Sequence, residues 1–152
     1  MGGHKAIYRL ADNKLHVQGA DYGMDKRINR TESIPCFYAA VVLYFPIGTP
    51  QKELNSLFPD GCLIKNYEEF NRLEVTVCEV DNIFCWEVAD VLTLLFKACD
   101  LNRITAATAL YKGSVFIDIS FTHKERYPVL IFDGHIMGII HQLQASIGID
   151  TY

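Results

Sequence analysis

The stretch that most constrains the fold is residues 84–99, FCWEVADVLTLLFKAC, because it carries the clearest helical pattern in the chain. Its apolar side chains recur at the i, i+3 and i+4 spacing of one helix face. They are Phe84, Val88, Val91, Leu92, Leu95, Phe96 and Cys99. The other side of the helix carries Glu87, Asp90, Leu94 and Lys97. The pattern therefore predicts a helix packed on a core with one face in water, preceded by Asp81 and Asn82 as candidate N-caps.

Length and charge narrow the class of protein. The chain has 152 residues, half of them hydrophobic, which suits one folded domain with a full core. Its formal net charge of −4 argues against nucleic acid as a partner, since phosphate binding needs a basic surface. No apolar run approaches the roughly 20 residues of a membrane helix, and the N-terminal residues lack the apolar segment of a signal peptide. We expect no membrane contact and a cytoplasmic location.

The rest of the chain shows interspersed strand and helix signals. Strands are expected at residues 5–10, 15–20, 36–45, 72–80, 114–121 and 147–152. Further helices are expected at residues 49–58 and 103–113 and after a cap at Asp133. Residues 21–33 form a polar loop with Lys26, Arg27 and Arg30, and the segment leading through Asn66 is also expected to be a loop.

The strands at residues 72–80 and 114–121 alternate apolar and polar side chains, as half-exposed antiparallel strands do. The residues predicted to share the apolar faces are Leu73, Val75 and Val77 in the first strand and Val115, Ile117, Ile119 and Phe121 in the second. The strand at residues 36–45 is predicted to be central. We therefore predict an α+β fold rather than a doubly wound parallel sheet. It is a single domain of residues 1–152, with an antiparallel or mixed sheet of about five to six strands packed against three to four helices. Residues 1–35 form a hairpin and a polar loop, and residues 36–152 form the core.

No motif for catalysis, metal binding or cofactor binding is present. The five histidines show no metal-ligand spacing, and no glycine-rich phosphate loop or nucleophile elbow occurs. The five cysteines are odd in number and lack a C-x-x-C pair, which indicates reduced thiols. We predict no catalytic residue, no metal and no cofactor, so the chain is not expected to be an enzyme.

Asp118 is the one carboxylate inside a strongly apolar strand. Strict alternation favours a solvent-facing position beside Ser114 and Ser120. The alternative is a cleft carboxylate with a shifted pKa, close to His123 or Asp150.

Charge is distributed unevenly along the chain. Residues 60–90 contain eight acidic and two basic side chains, so their net charge is −6 and the remaining residues sum to +2. Such a segment is either an ordinary solvated face or a docking surface for a basic partner.

The second half of the chain resembles a bacterial domain family of unknown function that includes immunity proteins encoded beside secreted toxins. The resemblance lies in CWEVADVLTLL, SVFIDISF, LIFDGHIMGIIHQLQA and the ending IGIDTY, over roughly residues 84–152. It implies an α+β domain and a role in contact-dependent or polymorphic toxin systems, and it supplies no catalytic residue.

The leading hypothesis is a cytoplasmic immunity protein that binds and neutralises a cognate basic toxin, such as a nuclease. The predicted partner-binding residues are Glu68, Glu69, Glu74, Glu87 and Asp90, with Tyr67 and Phe70 as aromatic anchors. Trp86 is either a further anchor or part of the core. The alternatives are a small-molecule-binding or enzymatic domain with a cleft near Asp118 and His123, and a structural subunit of a homo-oligomer.

Overall fold

The central strand of the fold is β3 (Cys36–Pro46), whose aromatic and β-branched residues suit a buried strand. The computed structural model describes residues 34–58 and 63–152, and the backbone of two strands nearer the N-terminus. The other strands are β1 (Ile7–Ala11), β2 (Lys14–Gln18), β4 (Leu63–Tyr67), β5 (Arg72–Phe84), β6 (Ser114–Thr122) and β7 (Ser146–Thr151). The helices are α1 (Gln51–Leu57), α2 (Val88–Lys97), α3 (Leu101–Tyr111) and α4 (Gly134–Leu143).

The seven strands form one mixed sheet in the order β1-β2-β5-β3-β6-β7, and β4 also pairs with β5. The pairs β1–β2, β3–β5, β3–β6 and β4–β5 are antiparallel. The pairs β2–β5 and β6–β7 are parallel. The predicted α+β class with a mixed sheet is confirmed, and so are the N-terminal hairpin and the central place of β3. The predicted polar loop at residues 21–33 lies outside the described residues.

The four helices pack on one face of the sheet. Alternate residues of β3 and β6 point to this face and join the helices in a single core, including the predicted inward residues Val115, Ile117, Ile119 and Phe121. The other face, which we call the open face, is covered by none of the described helices. It carries the intervening residues, among them Tyr38 and Tyr44 of β3 and Asp118 of β6.

The predicted dry face of α2 is confirmed, but its predicted start is wrong. Val88, Val91, Leu92, Leu95 and Phe96 are buried. The helix begins at Val88 rather than at residue 84, because β5 continues to Phe84, which pairs with Cys36. Asp81 and Asn82 therefore lie in β5 and do not cap the helix, where Glu87 occupies the N-cap position without a side-chain bond.

Strand β5 also departs from the predicted alternation. Its pairing with β3 shifts between Val41 and Val42, so that Cys78 rather than Val77 joins the central core. Such a bulge inserts one residue and reverses the inward pattern beyond it.

Strand β4 occupies a segment predicted as loop. Only Ile64 of β4 packs against the core, so β4 shows no apolar alternation and forms because β5 offers it a free backbone edge.

The sequence suggests Thr49 and Asp133 as N-caps, and of these only Asp133 is confirmed; the cap at Asp100 was not predicted. Asp100 accepts a hydrogen bond from the Arg103 amide at 3.1 Å, and Asp133 accepts one from the Ile136 amide at 2.9 Å. Thr49 does not cap α1, because its hydroxyl donates to the Pro46 carbonyl at 2.7 Å instead.

Candidate partner-binding site

The predicted acidic segment does not form one patch. Glu74 lies near the start of β5, whereas Glu87 and Asp90 follow its end at the N-terminus of α2. Ten residues of strand separate Glu74 from Phe84, which is about 33 Å at about 3.3 Å per residue. The structure therefore divides the seven predicted partner-binding residues into a group of five and a group of two.

The group of five meets where β4 turns into β5. A single 3-10 turn, Glu68–Phe70, follows β4, and Asn71 then takes a left-handed conformation with φ 52°. The Asn71 amide donates to the Glu68 carbonyl, and the Asn71 carbonyl accepts from the Ile47 amide. Asparagine tolerates this backbone region better than most residues, so the turn is fixed locally. We call this region the corner; its residues are Tyr67, Glu68, Glu69, Phe70, Arg72 and Glu74.

The corner combines an exposed aromatic side chain with exposed acids. Phe70 is 64% exposed, and Glu68 and Glu69 beside it are also exposed. Tyr67 and Glu74 are half-buried. A large aromatic residue surrounded by charged residues is the usual arrangement of a protein-binding anchor and its rim.

Arg72 lies beside three aromatic rings of this region. It was not among the partner-binding residues predicted from the sequence. Its guanidinium carbon lies 4.4 Å from the Tyr44 ring centroid, 5.2 Å from that of Phe70 and 5.8 Å from that of Tyr67. These distances lie within the cation–π range. Tyr67 and Phe70 flank Arg72 in sequence and could have suggested the cluster, but Tyr44 comes from a different strand.

The corner holds three glutamates and one arginine, so its formal charge is negative, and Lys65 of β4 pairs in register with Glu74. Burial is the main cause that raises the pKa of the Tyr44 hydroxyl, and the charge of Glu74 raises it further. The charge of Arg72 acts in the opposite direction on this pKa but does not reverse the rise. A basic partner would therefore meet a favourable potential here.

A second set of carboxylates lies further along the open face. Asp118 and Asp150 stand on the adjacent strands β6 and β7, and their registers place them on the same side of the sheet. Burial raises the pKa of Asp118, and the charge of Asp150 raises it further. The neighbouring Tyr38 hydroxyl donates to Glu79 at 3.1 Å, and burial together with this carboxylate raises the pKa of Tyr38. Asp118 is thus only half-exposed and has Asp150 as its charged neighbour.

The alternative cleft between Asp118 and His123 does not form. His123 stacks on Tyr127 at 4.2 Å between ring centroids and on the buried Phe121 at 5.7 Å. Phe121 belongs to the helix-covered side, whereas Asp118 lies on the open face. The two side chains are therefore on opposite sides of the sheet and cannot act on one substrate.

Trp86 belongs to the distant end of β5 and is half-buried. Its carbonyl accepts from the Val129 amide at 2.7 Å, and the Arg126 guanidinium lies 5.4 Å from its ring. Glu87 and Asp90 are exposed nearby. This end of the molecule shares no residue with the corner.

The described residues offer no metal site and no membrane helix. No three His, Cys, Asp or Glu side chains of the described part converge to hold a metal ion. None of the described helices is long and apolar enough to cross a bilayer.

A shallow groove of about 280 Å³ between α3 and α4 is lined by residues without titratable side chains, such as Thr105 and Gln142. The basic residues Lys26, Arg27 and Arg30 lie outside the described residues.

Comparison with known proteins adds no assignment. Neither a protein-family model, nor a curated protein, nor a solved structure matches this chain.

Proposed function

We propose that this chain is an immunity protein that binds a basic protein toxin through the corner and thereby neutralises it. The observation that carries the proposal is that the exposed Phe70 and four more of the seven predicted partner-binding residues lie together in the corner. In this proposal the chain acts in the cytoplasm, where it protects the cell that makes it. It works by binding rather than catalysis and takes no cofactor.

In this proposal the apolar groups of the corner supply binding affinity, and its charged groups raise the association rate. Phe70 would lose its exposed surface on binding, and a buried aromatic anchor supplies much of the affinity of many interfaces. Glu68 and Glu69 would attract a basic surface over several ångströms and raise the association rate. A nuclease fits as the toxin class because a nuclease presents cationic groups that bind phosphate.

The test compares two charge reversals that change the net charge equally. The partner for this test is first sought in the gene neighbourhood, as a toxin domain encoded directly upstream. Glu68→Lys with Glu69→Lys should lower its association rate roughly tenfold at low salt and weaken protection of cells. Glu87→Lys with Asp90→Lys, at the other end of β5, is the matched control and should leave both close to wild type.

Salt dependence gives the second readout. The wild-type association rate should fall as salt rises, because the Debye length shortens to about 8 Å at physiological ionic strength. The salt dependence of the association rate should become shallower in the Glu68→Lys, Glu69→Lys variant and stay close to wild type in the Glu87→Lys, Asp90→Lys control. Equal effects of the two reversals would mean that the acidic corner is a solvated face, and the proposal would fail.

A further inference from the structure

The Arg72 guanidinium lies beside aromatic rings and has no hydrogen-bond partner among the described residues. Three aromatic rings surround the group at 4.4 to 5.8 Å. Within the described residues the side chain forms no ion pair, and its Nε is closed off from solvent without a hydrogen-bond partner. The terminal nitrogens are not closed off in this way. Arg72 therefore carries unused hydrogen-bond donors, which share the plane of the guanidinium group.

This arrangement suits a planar anion. A guanidinium donates its N–H groups in its own plane and matches a carboxylate with two parallel hydrogen bonds. The aromatic rings hold the plane in place, so that little side-chain freedom would be lost when the bonds form. A lysine at this position could not form the same pair, because its ammonium is a point charge.

The neighbouring charges select among anions. Glu68, Glu69 and Glu74 lie within four residues of Arg72 in the chain, yet none of them forms an ion pair with it in the described part of the structure. Their negative charge opposes a doubly charged phosphate more strongly than a singly charged carboxylate. The corner therefore favours the anion with the smaller charge.

We propose that Arg72 is a carboxylate-binding site that pairs with an acidic side chain of the partner protein. This inference rests on the proposed function only for the source of the carboxylate. In the complex, Glu68 and Glu69 would face basic residues of the partner. Arg72 would donate hydrogen bonds to one carboxylate that lies among those basic residues. One reversed charge in an otherwise basic surface fixes the register of the complex and excludes partners that lack it.

The site can be tested without a partner by using acetate as the probe. The Nε–H signal of Arg72 is followed by NMR in the full ¹⁵N-labelled chain while sodium acetate replaces sodium chloride at constant ionic strength. We expect a saturable shift with a midpoint on the order of 0.1 M, as for one charge-assisted pair. Arg103 is the internal control, because its Nε already lies 3.4 Å from Asp100 and its Nη1 donates to the Leu57 carbonyl.

Two results would overturn the inference. One is an Arg72 signal that moves no more than that of Arg103. The other is a larger shift with inorganic phosphate than with acetate, which would contradict the carboxylate assignment. In the complex with the upstream-encoded toxin, Arg72→Lys should weaken binding about tenfold or more and Arg103→Lys less than about twofold. If the toxin does not bind the wild type but acetate does, the proposed function fails and the site stands.

Discussion

Asp118 and Asp150 face the same side of the sheet from the neighbouring parallel strands β6 and β7. Burial raises the pKa of Asp118, and the charge of Asp150 adds to the rise. Within the described residues, neither carboxylate has a cation in ion-pair distance. The pair therefore costs the folded state some stability whenever both groups are ionised.

This pair predicts a pH-dependent gain from Asp118→Asn. A carboxylate whose folded pKa is raised destabilises the fold above that pKa and has no such effect below its ordinary unfolded value near 4. The variant should therefore be more stable than wild type at pH 7, by a fraction of a kcal/mol because solvent screens this partly exposed pair, and the difference should vanish near pH 3. Urea unfolding at pH 3, 5 and 7 measures this. A gain of the same size at all three pH values would contradict the explanation.

Three leucines of α2 separate the buried and exposed faces of the helix. Leu92 and Leu95 are fully buried, whereas Leu94 is half-buried at the margin of the core. Replacement of Leu92 or Leu95 by alanine should each lower the free energy of unfolding by about 2–5 kcal/mol. Leu94→Ala should cost less than either, though more than the roughly 0.5 kcal/mol of a surface change. Urea titrations give the three values, and equal midpoints would show that the helix face is misplaced.

Gly148 of β7 is required because an aromatic ring lies against it. A Cβ at this position would stand 2.5 Å from Cζ of Phe116, so Gly148→Ala must displace the ring. Because Cζ is the outer end of a half-exposed ring on the open face that can turn aside, we expect a loss of about 1 kcal/mol or less. Gly138→Ala in α4 is the control, since its Cβ meets nothing within 4 Å and should add roughly 0.5–1 kcal/mol of helix stability. Thermal unfolding of both variants measures these two changes in stability. A Gly138→Ala variant less stable than wild type would contradict the prediction that its Cβ meets open space.

All five cysteines should be reduced thiols. Cys36, Cys78, Cys85 and Cys99 are free in the structure, and Cys62 lies outside the described residues. Burial raises the pKa of the Cys36 and Cys85 thiols, so little reactive thiolate forms at these two sites, whereas a hydrogen bond with Cys99 lowers the pKa of Cys78. Alkylation under denaturing conditions without reductant should therefore modify five sites by mass spectrometry. Fewer than five sites would indicate a native disulfide.

The sequence alone determined the elements whose signal is local. The i, i+3, i+4 pattern gave the buried face of α2, alternation gave the inward residues of β6, and Asp133 marked the start of α4. Each of these features depends only on backbone period or on one side chain and its own backbone.

The tertiary structure decided what depends on pairing between distant segments. Strand β5 extends to Phe84 because β3 pairs with it there, and this pairing moves the start of α2 to Val88. Strand β4 exists because β5 offers it a backbone edge, and the corner exists because β4 and β5 meet at a tight turn. The Arg72 guanidinium lies over the ring of Tyr44, which belongs to the neighbouring strand β3. Backbone hydrogen bonds between strands depend on partners that no local pattern specifies, so only the folded chain fixed the arrangement of the candidate site.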